Sequence, residues 1–432
     1  MKLPRFVGRA QLNGLVYLSS SIVSKGISVL LLPLYTAKLS KTQYGAYGLA
    51  QSIFWIAPTV ITAALGSAFG RFFFDDKEPE QRDRRLAAIA TPLLLFAIGG
   101  ALLFDLLLDF GVISSIFELD RVSLRLIGWT CASVAIGEIP GTYLRASERA
   151  FAYATYSFTV FLITAAASLF FLVQLDLGLH GLLGAMCLGQ ASGAVISIVF
   201  VHKRLGWRWD SKLLREALNY SVPFIPHVVG TALMSSIDRW SLERYGFRED
   251  LGLFTLAYQL TLPIQLATSA WNDASSPGFL AAWRDGGDAA VKPALRRVVT
   301  GFLLASGGAL LLVLAVLPLA RLFINPKFHA AFSLVPYLGL SLVVGTLFSA
   351  FINVLFLRKN SRLIPVLTLA SVAVNLALNT LLVPRYGAMG AIGATGVALA
   401  ARTFLMYVFA LRSVRSGTTT SSDPSGSAPE GV

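Results

Sequence analysis

The sequence predicts an all-α polytopic membrane protein built as two parallel repeats of about six spans each around a central cavity. Three observations predict it. First, 55% of the 432 residues are hydrophobic and only 14% are charged, with a mean hydropathy of +0.67. A soluble domain carries about 25% charged residues. Second, apolar runs of about 20 residues recur along the whole chain, each long enough to cross a ~30 Å hydrocarbon core as a helix. Third, the chain repeats itself at long range.

The repeat is read from several stretches. Leu218-Asn219 opens the second copy as Leu12-Asn13 opens the first, about 206 residues earlier. Leu251-Gly252-Leu253-Phe254-Thr255-Leu256-Ala257 lies over Tyr44-Gly45-Ala46-Tyr47-Gly48-Leu49-Ala50. Gly178, Gly181, Gly184 and Ala185 precede Gly387, Gly390, Gly393 and Ala394 by about 209 residues, and Val199-Phe200 precedes Val408-Phe409 at the same offset. Both halves therefore share one helical layout in one orientation, as in transporters whose halves enclose a central site.

About twelve spans are expected, over 12–37, 44–70, 86–112, 122–144, 153–175, 180–201, 218–242, 251–279, 295–320, 330–357, 363–383 and 388–411. Residues 1–209 form the N-terminal six-helix bundle and 210–412 the C-terminal one. The tail 413–432, rich in Ser, Thr, Gly and Pro, is expected to be disordered. The first span follows Lys2, Arg5 and Arg9 but is too long for a signal peptide. One set of loops holds 24 basic residues against nine on the other, which places both termini in the cytoplasm. The net charge of +13 thus reports topology, and no nucleic acid partner is inferred from it. Cys131 and Cys187 both lie in apolar spans and imply no disulfide framework. The sequence holds no P-loop lysine motif and no His-Glu-x-x-His pair, so no cofactor is expected.

Ionisable groups at membrane depth are costly, about 2.5–3.5 kcal/mol each on insertion scales, and are functional candidates by default. Here they are Lys25, Glu138, Asp238, Arg239, Asp273 and Arg402, with Asp105 nearer a helix end. Asp238 and Arg239 are adjacent on a helix and so point about 100° apart. Polar stripes at helical spacing accompany them: Ser21, Ser24, Lys25 and Ser28; His227, Thr231, Ser235 and Asp238; and Tyr258, Thr261, Gln265, Thr268 and Asn272. Tyr47, Gln51, Thr59 and Thr62 form a looser one that ends at Arg71. Such stripes serve either as polar glue between helices or as the wall of a wet cavity. Those carrying Lys25, Asp238 or Asp273 are read as the second. Pro33, Pro58, Pro223, Pro226 and Pro263 are expected to kink the same helices. Glu138 is expected to meet a nearby cation, and Asn375 and Asn379 to bond between helices.

Three stretches carry a resemblance: Leu39–Arg71 with Gln43-Tyr44-Gly45-Ala46-Tyr47; Ser236-Ile237-Asp238-Arg239 followed by Leu251-Gly252-Leu253-Phe254; and Asn375–Thr395 with Val383-Pro384-Arg385-Tyr386-Gly387. Together they resemble the (Wzx-like) polysaccharide and oligosaccharide flippases of the multidrug/oligosaccharidyl-lipid/polysaccharide superfamily, over nearly the whole chain. The resemblance implies a fold like that of multidrug and toxic-compound extrusion (MATE) transporters, in a bacterial inner membrane. It implies a flippase, not an enzyme, that carries undecaprenyl-diphosphate-linked oligosaccharides to the periplasmic leaflet, as a monomer among membrane lipids near a polysaccharide polymerase. On that reading Lys25 and Arg239, helped by Arg71, bind the diphosphate, Arg offering a bidentate fork. Gln51, Tyr258, Gln265, Trp271 and Asn272 suit the sugars. Asp238, Asp273 and Glu138 are the ion-coupling candidates. Two rivals stand beside it. A drug/cation antiporter of the MATE type needs an acidic cavity, which Lys25 and Arg239 oppose. A membrane polymerase needs paired loop carboxylates, for which Glu118 with Asp120 is the one candidate.

Overall fold

A computed structural model of the chain describes residues 31–112, 119–357 and 363–417, which are helical apart from short turns. Lys25, Glu118 and the side chain of His227 lie outside the described residues. Among the described residues, seven helices are long and apolar enough to cross a membrane, or eight with one bent pair counted as a span. The count of about twelve agrees with this once three features are considered. The first span falls largely outside the described residues, Leu363–Arg412 is long enough for two spans, and the two polar-striped spans are not among the seven.

The chain forms two compact units. One comprises the described residues up to Thr255 with Phe323–Phe328, and the other Leu256–Leu322 with the described residues from His329 onward. The division at 209/210 is a statement about sequence duplication, which these packing units do not address.

In the first unit, α1 (Leu32–Lys38) takes Pro33 in its first turn, where the missing N–H costs nothing. α2 (Lys41–Ile61) begins at Ser40, whose hydroxyl accepts from the Gln43 amide while the Gln43 side chain accepts from the Ser40 amide. This reciprocal cap satisfies two donors the helix would leave open. α2 and α3 (Leu65–Phe72) are bent by 65°. The break is not at Pro58, where the sequence places it, but just beyond, where Ala63 and Ala64 take left-handed φ of 49° and 56°. Such residues cost roughly 1–2 kcal/mol each, and side chains take up the loosened carbonyls. The Thr62 hydroxyl donates to Pro58 O (2.8 Å) and the Ser221 hydroxyl to Ala63 O (2.8 Å).

α4 (Pro79–Asp109) buries Leu86, Leu93, Ala97, Ala101 and Leu108 on one face and exposes Leu95, Ile98, Leu102 and Leu106 on another. An apolar helix exposed in this way presents its outer face to lipid. α5 (Arg121–Ala146), α6 (Ala150–Leu169) and α7 (Gly178–Phe200) follow. α6 and α7 pack closely through small residues, since a Cβ on Gly189 would stand 1.8 Å from the Thr164 hydroxyl. α8 (Ser211–Ser221) lies beside α3 and α4, and α9 (Ile225–Arg244) packs on α2. The unit's first segment ends at Thr255 within α10 (Arg248–Leu260), and Phe323–Phe328 returns to it.

The second unit takes the end of α10, most of α11 (Leu262–Phe323), α12 (Ala331–Thr346), α13 (Phe348–Leu357) and α14 (Leu363–Gly417). α11 and α14 each turn sharply at one glycine, Gly287 with φ 58° and Gly387 with φ 52°. Only glycine takes this conformation without steric cost. Pro263 stands at the start of α11 and Pro226 at the start of α9, so these prolines open helices and do not kink them. α14 continues to Gly417, past the expected start of the tail at Ser413. Phe279, Phe302, Phe351, Ile364, Leu367 and Met406 form the unit's apolar core.

Candidate functional site

The first unit holds a cavity of about 490 Å³ between α1, α2, α5, α6 and α7. α5 supplies the carboxylate of Glu138 and the guanidinium of Arg145. α6 supplies Tyr153, Tyr156, Ser157 and Thr164, which recur at helical spacing and so share one face. Tyr35, Tyr47 and Gln190 complete the polar lining.

Each group is held by its neighbours. Arg145 donates to the Tyr153 hydroxyl (3.1 Å) and to the Thr142 hydroxyl (3.2 Å), and stacks over the Tyr153 ring at 5.1 Å. The Tyr156 hydroxyl donates to Gly137 O (2.8 Å). Gly137 and Gly193 flank that hydroxyl, and a Cβ on either would stand 2.9 Å from it. Gln51 donates to the Tyr47 hydroxyl (2.9 Å), and Tyr35 meets Tyr47 edge to face at 6.2 Å. Ser168 bonds the Tyr35 hydroxyl at 3.3 Å.

Glu138 differs from these. It is exposed to the cavity and makes no ion pair or hydrogen bond with any described residue. The expected nearby cation is Arg145, which lines the same cavity and acts on the carboxylate through space without forming an ion pair. Gly66 of α3 makes room for the carboxylate, since a Cβ there would stand 2.9 Å from Oε2. The cavity thus combines one open carboxylate, one guanidinium and several aromatic faces. Aromatic rings stack on the C–H faces of sugars, while carboxylate, guanidinium and amide groups bond hydroxyls.

The other predicted residues lie as follows. Asp238 and Arg239 on α9 are both 3% exposed. Arg239 donates to Ser235 O (2.6 Å) and faces the Phe254 ring at 5.9 Å. Arg71 at the end of α3 is exposed and ion-paired to Asp75, a partner at i+4 that the sequence reading passed over. In the second unit, Gln265 donates to the Tyr258 hydroxyl (3.0 Å) and, with Thr268, lines a smaller cavity of about 190 Å³. Trp271 is not placed as a free sugar platform. Its indole donates to Val298 O (3.0 Å), and its ring fills the space where a Cβ of Gly301 would lie. Asn272 is half-buried and Asp273 exposed. Asn375 bonds as expected between the arms of α14, donating to the Thr395 hydroxyl (3.3 Å), whereas Asn379 donates to Asn375 O within its own arm (3.0 Å).

The sequence expectations do not single out Arg145, Tyr153, Tyr156 or Gln190. The stripe of Tyr153, Tyr156, Ser157 and Thr164 was the available signal.

Residues 12–280 match the model of a family described as polysaccharide biosynthesis protein. The chain belongs to that family. No curated protein matches the chain. Among solved structures, it resembles an inward-facing multidrug resistance MATE family transporter of the MOP superfamily at 13% identity, with a TM-score of 0.77 over 94% of this chain and 99% of the other. It resembles an outward-facing conformation of such a transporter at 12% identity, with a TM-score of 0.67 over 94% and 95%. A MOP superfamily transporter from Pyrococcus furiosus, whose binding pocket is described as of reverse polarity, matches at 13% identity with a TM-score of 0.62 over 95% and 96%. This member of the polysaccharide biosynthesis family therefore has the fold of MOP superfamily transporters, and it is a multi-pass membrane protein.

Proposed function

We propose that this protein is a flippase. It moves undecaprenyl-diphosphate-linked oligosaccharides from the cytoplasmic to the periplasmic leaflet of a bacterial inner membrane, with both termini in the cytoplasm. The observation that carries the reading is the aromatic cavity with Glu138 and Arg145 in the first unit of a polysaccharide biosynthesis family member. A sugar head group is hydrophilic and needs such a wall to cross the bilayer; the prenyl tail stays in lipid. The diphosphate is anionic and is assigned to Lys25 and Arg239, with Gln51, Tyr258, Gln265 and Asn272 as further sugar contacts. Glu138 is the first ion-coupling residue, because it is the carboxylate open to the cavity; Asp238 and Asp273 remain secondary. The protein acts as a monomer that hands its product to a polysaccharide polymerase.

A second reading is the drug/cation antiporter, which the open Glu138 carboxylate and the multidrug transporters of the same fold favour. Arg145 in the same cavity and the family match oppose it.

The deciding experiment follows fluorescent undecaprenyl-diphosphate oligosaccharide in proteoliposomes with the wild type, Lys25→Ala and Arg239→Ala. Transport by the wild type and its loss in both folded variants supports the flippase. Drug efflux with no glycolipid flipping selects the antiporter.

A further inference from the structure

The smaller cavity, in the second unit, holds a charge that the proposed function does not use. Arg402 on α14 is 6% exposed and lines this cavity of about 190 Å³. Its guanidinium lies 3.7 Å from the centre of the Phe348 ring. That contact attracts the cation to the ring face but bonds none of its N–H groups. Nε is buried and without a hydrogen-bond partner, and Arg402 forms no ion pair with a described residue. No carboxylate among the described residues lines the cavity.

A buried guanidinium without a counter-charge is expensive, and it is held here by close packing. Gly345 lies against Leu399, Gly396 lies against Ser341, and the Thr403 hydroxyl donates to Val344 O (3.1 Å). These contacts hold α12 and α14 together on either side of Arg402, and the Phe348 ring covers one face of its guanidinium.

The surrounding polar groups favour an anion over a cation. Thr268 and Thr346 donate their hydroxyl protons to backbone carbonyls (2.7 and 2.8 Å). Ser269 and Ser349 make no hydrogen bond with described residues, so both hydroxyls are free to donate into the cavity. Gln265 spends one amide hydrogen on Tyr258 and retains the other. Ser269 is exposed, which leaves the cavity open to exchange. A water molecule occupies about 30 Å³, so the volume takes one tetrahedral oxyanion with its waters.

We propose that Arg402, with the hydroxyls of Ser269 and Ser349, binds a compact phosphate-class oxyanion in the second unit. The planar fork of arginine matches two oxyanion oxygens, and the serine hydroxyls bond the others. The phosphate comes either from free inorganic phosphate or from the head of a prenyl diphosphate. The inference is independent of glycolipid flipping, since inorganic phosphate binding is measured without any sugar.

The test uses the full chain in nanodiscs, melted while inorganic phosphate is titrated at constant ionic strength. A ligand that binds only the folded state raises Tm saturably. The wild type is expected to show that rise. Arg402→Gln weakens the apparent affinity about tenfold or more, Arg402→Lys retains part of it, and Ser349→Ala and Ser269→Ala each weaken it severalfold. No saturable rise in the wild type overturns the proposal. So does an equal rise in Arg402→Gln, which means surface binding by a basic protein, or an equal response to chloride. If Arg402→Gln does not fold, unchanged affinity in both serine variants overturns it. Competition by geranyl diphosphate, lost in the serine variants, assigns the site to a lipid-borne phosphate. Binding of inorganic phosphate alone assigns it to the free anion.

Discussion

Gly45 of α2 and Gly252 of α10 meet backbone to backbone. A Cβ on Gly45 would stand 2.9 Å from Arg248 O and 3.1 Å from Gly252 N, and one on Gly252 would stand 2.1 Å from Lys41 O. The two glycines are equivalent positions of the sequence repeat, as are Lys41 and Arg248. Each glycine thus faces the carbonyl of the other's preceding turn. Gly48 and its equivalent Thr255 also touch, since a Cβ on Gly48 would lie 2.1 Å from the Thr255 hydroxyl. Contacts that exchange i with j in this way are the mark of a two-fold relation. The duplication read from sequence therefore has a physical counterpart in one helix crossing, and it explains why glycine stands at both 45 and 252.

The crossing predicts an order of stability among glycine variants. Gly252→Ala must displace a backbone carbonyl and is expected to cost on the order of 1–3 kcal/mol. Gly45→Ala has more room and costs less. Gly99 on α4 has nothing within 4 Å of its Cβ position, so Gly99→Ala is neutral or stabilising by up to about 1 kcal/mol, the usual gain of alanine over glycine in a helix. Melting of the three purified variants in one detergent ranks them. A Gly252→Ala protein as stable as Gly99→Ala would remove the argument.

Glu138→Gln preserves shape and removes the open carboxylate of the first cavity. Transport is expected to fall at least about tenfold while Tm changes little, because the carboxylate makes no hydrogen bond with described residues. Gly66→Ala crowds the same carboxylate from α3 and should lower transport in parallel. Proteoliposome flux at matched protein density reads both. Full flux in Glu138→Gln would exclude this carboxylate from coupling.

Much of this was legible because membrane helices obey strong local rules. Apolar length located the spans, and the cost of burying charge singled out Asp238, Arg239, Glu138 and Arg402. The cavity was less legible for a geometric reason. Arg145 closes a span next to Arg149 and so reads as a cytoplasmic basic residue, yet it reaches back to Tyr153 on the next helix. Trp271 reads as a sugar platform, but its N–H finds Val298 across the sharp turn at Gly287. Sequence spacing reports which residues share a face, and only packing decides what that face meets. Arg71 is a different case. Its Asp75 partner at i+4 was open to the same rule used elsewhere.

Asp83 on α4 joins three helices. It accepts from the Tyr143 hydroxyl (3.1 Å) and pairs with Arg204 Nε (3.1 Å), and its own side chain is 13% exposed. Asp83→Asn retains an acceptor for Tyr143 but loses the charge-assisted bond, which is expected to cost about 1–3 kcal/mol. Tyr143→Phe removes one donor to the carboxylate and one acceptor for Arg204 (3.5 Å) but leaves the Asp83–Arg204 ion pair in place, and should cost less. The comparison is made by denaturation of the two variants, and an inverted order would count against the ion pair as the stronger link.

Asp120 gives the pH dependence. It caps α5, accepting from the amides of Val122 and Ser123 and from the Ser123 hydroxyl (2.6 Å), and it meets His180 at 2.9 Å. Burial pushes its pKa upward, but the bonds from Ser123 and His180 outweigh burial and hold it below the usual carboxylate value. A carboxyl with a lowered folded pKa stabilises fully above its unfolded pKa, about 4, and that stability is lost as pH falls through the lower folded value. The wild type should therefore lose stability below about pH 4 by a margin that Asp120→Asn lacks. At neutral pH Asp120→Ala should cost about 1 kcal/mol, the usual value of a helix cap. The side chain is half-exposed, so salt should trim the His180 share of this and leave the cap bonds intact. Melting curves of wild type and both variants from pH 3 to 7 check the sign. Parallel curves for wild type and Asp120→Asn across that range would mean that the carboxylate carries no net stabilisation.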